Sequence, residues 1–347
     1  MHSPQAGSKS LQQRKAYCME TWKKYISAIV FICGFAVLPS YTFSAAASQE
    51  HGVVLAGEAK QDYIQKEMNA LYHPSKNTPA KPWTQPKGWV YEKLAIGDVP
   101  VERIAPVKSA SQRVILLLHG GGYMGGITDR YRALAVRQAT YMDAAEVYCA
   151  DYRLAPAHVY PAALEDAAAV YRGLLARGID PSNIIVFGDS SGGNLALELA
   201  LYLKEQGLPQ PALLLLLSPW TDFEYKEGTS RTENFEKDKM LGAGTPFADS
   251  VRKPSPYAGS LPLDDPRLSP IHADLSGLPP MLIQTGGYDL LLTEDELLAE
   301  KAAADGTPVS LTIYPEMPHV FTLVLPDLAE SIASLAEMRD FVNRHIH

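Results

Sequence analysis

Residues 183–201, NIIVFGDSSGGNLALELAL, decide how the rest of the chain is read. The stretch opens on a short apolar run (183–187) with the composition of a strand and closes on a run of good helix formers. Between them stands Gly188-Asp189-Ser190-Ser191-Gly192-Gly193. A G-x-S-x-G pattern between a strand and a helix is the sharp turn that lifts a serine hydroxyl out of the backbone. Such a turn leaves no room for side chains two residues before and after the serine. Gly188 and Gly192 meet that need if Ser190 is the exposed serine. Ser191 is the alternative, but it would put Asp189 in the crowded place. The helix that follows points its N–H groups and positive dipole end at the same spot. A Gly/Ser-rich turn without function is the bland reading, and the strand and helix on either side argue against it.

Working outward, the same rhythm recurs. Apolar runs lie at 114–118, 146–150, 212–217, 281–285 and 309–314, with helix-like patterns near 127–142, 161–177, 193–206, 293–304 and 326–345. The runs are apolar throughout rather than alternating, as strands buried on both faces of a parallel sheet are. Short turns between strands and helices predict an α/β fold with a mostly parallel central sheet and helices on both faces. Two stretches break the rhythm. Residues 48–90 hold an amphipathic helix (about 56–71) and a Pro-rich polar segment, and 221–270 are polar with scattered aromatics. Both are expected to form a helical cap over one end of the sheet, on a single domain spanning 48–347.

The chemistry sits just past strand ends. His119-Gly120-Gly121-Gly122 follows the run VILLL directly. Three consecutive glycines expose backbone N–H groups, which is what stabilising a tetrahedral oxyanion requires. A serine nucleophile also needs a base, and the base needs an orienting carboxylate. His319 lies past the run at 309–314 and Asp289 past the run at 281–285. His345 and His347 also follow the acid but sit at the chain end. Glu294 and Asp295 compete with Asp289, but they read as caps of the helix beginning near Thr293.

Composition narrows the rest. The chain has 347 residues, 46% of them hydrophobic, with 31 Lys+Arg against 39 Asp+Glu for a net charge of −8. An acidic chain of this kind does not track nucleic-acid phosphates, and three cysteines cannot staple a protein of this size. The histidines and thiols form no metal-ligand pattern and the serine chemistry needs no cofactor, so none is expected.

The first 47 residues read as a signal peptide. Five basic residues precede an apolar stretch at 25–38, and Ser44-Ala45-Ala46-Ala47 supplies a small-residue cleavage site. A start at Met19 would give a signal of ordinary length. Cleavage removes five basic residues and one acid, taking the charge from −8 to −12, and leaves Cys149 as the only thiol. The expected location is therefore the periplasm or the medium. The rival is an uncleaved membrane anchor, because 25–47 carries no charge.

Taken together, HGGGYMGG, DYRLAPAHVYPAALEDA, GDSSGGNLA, SPWTD, DPRLSP, LPPMLIQTGGYDLLL and MPHVF follow one another in an order that resembles the hormone-sensitive-lipase-like group of bacterial esterases within the α/β-hydrolase superfamily. The resemblance runs from about 114 to 325. It implies a Ser190–His319–Asp289 triad, an oxyanion hole built from the N–H groups of Gly121, Gly122 and Ser191, and hydrolysis of carboxylic esters of short to medium acyl chain. The partner is then a small-molecule ester, with room for a homodimer. Two departures stand out: Ser191 replaces the usual Ala, and Leu290 to Thr293 replace the usual D-P-L-x-D continuation. A lactonase, amidase or acyltransferase would use the same triad, and a ligand-binding protein without activity is a remoter alternative. Trp83 and Trp89 stand near the cap and could line an acyl slot or simply pack.

Overall fold

The computed structural model describes residues 52–73, 82–226 and 228–346. The signal peptide, its cleavage site and the start at Met19 lie outside the described residues. Residues Glu50–His347 form one compact unit.

The six apolar runs become six strands: β3 (Val114–Leu118), β4 (Glu146–Ala150), β5 (Ile184–Asp189), β6 (Leu213–Leu217), β7 (Met281–Gly286) and β8 (Val309–Tyr314). They are parallel to one another in the order β4-β3-β5-β6-β7-β8. Two further strands, β1 (Trp89–Ile96) and β2 (Val99–Pro106), form an antiparallel hairpin that joins the sheet beside β4. The apolar runs do not disclose this hairpin. Glu92 and Arg103 share one face of this strand pair at the sheet's edge and Lys93 and Glu102 the other, so its pattern is mixed rather than continuous. Trp89 and Val90 therefore belong to the sheet and not to the cap. At the other edge, β8 is only partly covered, with Ile313 38% exposed.

Strand residues alternate between two cores, as a pleat with period two requires. Leu116, Val186 and Leu214 enter one core together with Leu195 and Leu199 of α4 (Ser191–Glu205). Leu117, Phe187 and Leu215 enter the other, with Leu134 of α2 (Asp129–Met142) and Leu335 of α8 (Ala329–His345). Each fully buried Leu contributes about 1.5–3 kcal/mol, which is why every residue of β3, β5 and β6 is apolar until the chemistry begins. α3 (Ala162–Ala176) and α6 (Leu292–Ala304) complete the cover. Arg153 pairs with Asp166 and Glu165 at the foot of α3.

The amphipathic N-terminal helix is α1 (Gly57–Tyr72). Ile64 and Met68, one turn apart, bury against the second core, and Lys60 pairs with Glu330 of α8 at 2.7 Å. Segment 221–270 folds as short pieces, including α5 (Ser230–Glu233) and single 3₁₀ turns. It meets α1 where the Tyr72 hydroxyl donates to the Met240 carbonyl at 2.7 Å. Leu71 of α1 and Met240, Leu241 and Phe247 of this segment line one cavity, and "lid" below means the 221–270 segment.

Candidate active site

Parallel register brings the strand ends level. Leu118 sits opposite Gly188, Asp189 opposite Leu217, and Gly286 opposite Tyr314. The four turns that follow β3, β5, β7 and β8 thus open on one edge of the sheet, the place where open α/β sheets bind ligands.

After β5 the backbone turns at Ser190 with φ 52° and ψ −122°, a conformation that strains any residue with a side chain. The turn holds because its neighbours are bare. A Cβ on Gly188 would meet the Gly192 carbonyl oxygen at 2.1 Å, and one on Gly192 would meet the Leu118 oxygen at 2.0 Å. Both glycines flank Ser190 symmetrically, as the spacing requires for that serine and not for its neighbour. Ser190 lines the cavity. Ser191 is buried, and its hydroxyl accepts the Tyr123 N–H at 3.2 Å. An alanine there could not make that bond, so Ser191 ties the glycine loop to α4 through its side chain as well as beginning the helix.

The loop after β3 is held from below. Asp189 Oδ1 accepts the Gly120 N–H at 3.1 Å, and the Tyr131 hydroxyl both accepts that N–H at 2.8 Å and donates to Asp189 Oδ2 at 2.9 Å. Burial pushes the Asp189 carboxyl up to about 6, against the pull of Tyr131 and Gly120. His119 is buried, stacked on Tyr152 at 4.2 Å, and burial pushes its imidazole down to about 4, so it stays neutral. With Gly120 spent in this way, Gly121 (φ +114°) and Gly122 (φ +63°) present their backbone to the cavity. The Ser191 N–H lies in the first turn of α4, whose N–H groups have no partner within the helix.

The turns after β7 and β8 bring the acid and the base together. His319 Nδ1 lies 3.1 Å from both Oδ1 and Oδ2 of Asp289, and both side chains are buried. Burial opposes the Asp289 charge, but His319, Ser218 and the Leu291 N–H outweigh it and hold the carboxyl below its usual range. Burial likewise opposes charge on the imidazole, yet Asp289, Asp238 and Asp189 hold His319 above the ordinary histidine value. His319 lines the same cavity as Ser190, Gly121 and Gly122.

Glu294 and Asp295 are not helix caps. The residue before α6 is Leu291, with no side-chain cap, and both acids are buried. Glu294 accepts the N–H groups of Thr221 and Asp222 at 2.9 Å and pairs with Arg231 at 2.6 Å, so it anchors the start of the lid. Burial, with Arg231 opposing, raises its carboxyl to about 7. Asp238 of the lid, which nothing in its local sequence marks, reaches the turns that carry Asp289 and His319. Its only signal would be an acid in a polar segment, and lids are full of those.

The cavity holds about 660 Å³ and lies beneath the lid. Leu71 of α1, Trp220, Met240, Phe247 and Leu323 give it a largely apolar wall. Neither Trp83 nor Trp89 lines it. Trp83 packs edge-on against Tyr91 at 5.3 Å, and Trp89 packs against the second core. Among the described residues no group of three His, Cys, Asp or Glu could hold a metal ion, and no helix is long and apolar enough to cross a membrane.

Comparison with known proteins agrees with this architecture. A family model of the α/β-hydrolase fold matches residues 115–323. An acetyl-hydrolase of Streptomyces hygroscopicus is 36% identical over 237 residues, 68% of this chain and 77% of its own. An esterase of Acinetobacter venetianus is 34% identical over 247 residues, covering 70% and 80%. The crystal structure of an esterase from the bacterial hormone-sensitive lipase family superposes with a TM-score of 0.75 at 32% identity, over 84% of this chain and 100% of that one.

Proposed function

This chain belongs to the α/β-hydrolase family, alongside the bacterial hormone-sensitive-lipase esterases, and is a carboxylesterase; we propose that its substrates are esters of short to medium acyl chain, cleaved through a covalent acyl-enzyme on Ser190. Ser190 Oγ attacks the ester carbonyl while His319 takes its proton. The alcohol leaves with that proton, and His319 then activates a water that releases the acid. Asp289 fixes the imidazole tautomer and offsets its charge. The N–H groups of Gly121, Gly122 and Ser191 hold the oxyanion.

One observation carries the reading. A buried imidazole paired through Nδ1 with a buried carboxylate opens on the same cavity as a serine held at positive φ. Such an arrangement is strained and desolvated, and folds retain that cost at reacting groups. The short-chain preference is supported by a largely apolar cavity lined in part by the lid and by the acetyl-hydrolase among the relatives. Export after cleavage near Ala47 is supported by the sequence of the first 47 residues. N-terminal sequencing of protein recovered outside the cytoplasm tests it, and a chain still beginning at Met1 or Met19 argues for the anchor.

The deciding experiment compares the full chain with Ser190→Ala on p-nitrophenyl esters of increasing acyl length. Ser190→Ala is expected to lose at least about 10⁴-fold in kcat with its melting temperature unchanged. Rates for the parent should fall as the chain lengthens past the cavity. Equal activity in both proteins would move the nucleophile elsewhere.

A further inference from the structure

Asp238 lies in the lid, far in sequence from the strand ends, yet it is fully buried beside the acid–base pair. Its Oδ1 accepts the N–H groups of Met240 at 2.8 Å and Leu241 at 3.2 Å, both lid residues that line the cavity. The same oxygen lies 3.4 Å from the His319 backbone N, and Oδ2 accepts the Leu290 N–H at 3.0 Å. One carboxylate therefore holds the lid, the residue after Asp289, and the backbone of His319. Among the described residues it has no Lys or Arg within ion-pair distance; burial and Asp289 push its carboxyl up to about 6, and only His319 and backbone N–H groups offset them. Leaving a carboxylate in the interior without a cation is costly. A neutral residue could close a lid by packing, so what calls for an acid is the imidazole beside it.

We propose that Asp238 is a positioning residue of the esterase reaction: it locks the lid to the turns bearing Asp289 and His319, and it adds a second buried negative charge facing the imidazole. The inference rests on His319 acting as the base. A lid that shifts away carries Asp238 with it, so the imidazole is aligned and made more basic only when the cavity is covered. The groups facing the imidazole are Asp289 from the β7–α6 turn, Asp189 from the end of β5, and Asp238 from the lid. The Tyr72 hydroxyl of α1, which donates to the Met240 carbonyl, is raised by burial and by that same carboxylate.

The test uses full-length Asp238→Asn, which keeps the shape and one acceptor but removes the charge, with Asp238→Ala as a second variant that removes the clamp. Short p-nitrophenyl esters give kcat, KM and the acid limb of kcat/KM. NMR titration of the His319 ring in the free protein gives its protonation midpoint without turnover. Asp238→Asn is expected to fall about tenfold in kcat with KM within twofold, and both midpoints should move down by about half a pH unit or more, since a lost anion no longer favours imidazolium. Asp238→Ala should lose a further several-fold in kcat and raise KM. A lower melting temperature with unaltered kcat per active site, counted by fluorophosphonate titration, and unmoved midpoints would make Asp238 a merely structural anchor and overturn the proposal. Inactivity of the parent, or full activity in Ser190→Ala, would instead sink the esterase mechanism. The His319 titration would still decide for or against the charge of Asp238.

Discussion

Two regions of this molecule enclose the same cavity by opposite means. At the strand ends, backbone is pressed against backbone: Gly192 leaves no space before the Leu118 oxygen, and a Cβ on Gly193 would meet Pro219 at 2.8 Å. In the lid the contacts are polar and long in sequence. Asn234 Nδ2 donates to the Asp289 carbonyl at 2.9 Å, the Ser230 hydroxyl to the Leu290 carbonyl at 2.7 Å, and Arg231 pairs with Glu294. The first region is intolerant of a single methyl group. The second is as tight at Gly242, where a Cβ would meet the Phe235 carbonyl oxygen at 2.1 Å, but it depends besides on particular hydrogen-bonding atoms. The sheet edge thus fixes the reacting serine through shape, and the lid is fastened to the acid's loop through polar atoms.

Substitutions that exchange these roles would break or sharpen the contrast. The largest effect is expected from Gly192→Ala. Its new methyl has only main-chain oxygens to displace, so kcat should fall by at least about 10³-fold and stability by about 2–4 kcal/mol, read by ester assay and thermal melt. Gly207→Ala, where an added methyl meets nothing within 4 Å, is the control and should keep full activity.

Next in size is the pH response. His319 must be neutral to accept a proton, and its surrounding carboxylates favour the charged form. The acid limb of kcat/KM should therefore have its midpoint above about 6.5, the ordinary histidine value, and fall about tenfold per pH unit below it. A midpoint under 6 would mean that burial outweighs the three carboxylates.

Asn234→Ala tests the lid. It leaves two carbonyls, of Gly287 and Asp289, short of a donor and should cost about 1–3 kcal/mol with only a several-fold change in kcat/KM. A loss as large as that of Gly192→Ala would erase the distinction between the two regions. The smallest effect belongs to Trp83→Ala. That ring packs on Tyr91 away from the cavity, so acyl preference should stay within about twofold of the parent.

The same contrast explains what could be read from the sequence. β3, β5 and β6 are buried on both faces, so their composition announces them. The elbow's glycines are fixed by local geometry within five residues, so Ser190 is legible from spacing alone. Asp289 and His319 follow from their places after strands. The β1–β2 hairpin escapes because a strand pair at the sheet's edge carries charges on both faces, Glu92 and Arg103 on one and Lys93 and Glu102 on the other. Glu294 and Asp295 mislead because acids at a helix start ordinarily face water, whereas here both are buried and Glu294 meets the lid's backbone. Asp238 is invisible because its partners, Leu290 and His319, are more than 50 residues away, and no local pattern encodes a contact of that range. The short pieces of 221–270 take their shape from those distant anchors rather than from periodicity.

Cys149 sits in the middle of this frame, in β4 with no exposed surface, and burial raises its thiol far above the ordinary range. Only the thiolate attacks other sulfur compounds or alkylating reagents. The residue is thus doubly silenced, by access and by protonation, until β4 parts from its neighbours. Alkylation at Cys149, followed by mass on its own peptide, would therefore time the opening of the central sheet under native conditions, independently of ester turnover. The chain carries its own stopwatch for unfolding, set between two strand neighbours inside the sheet.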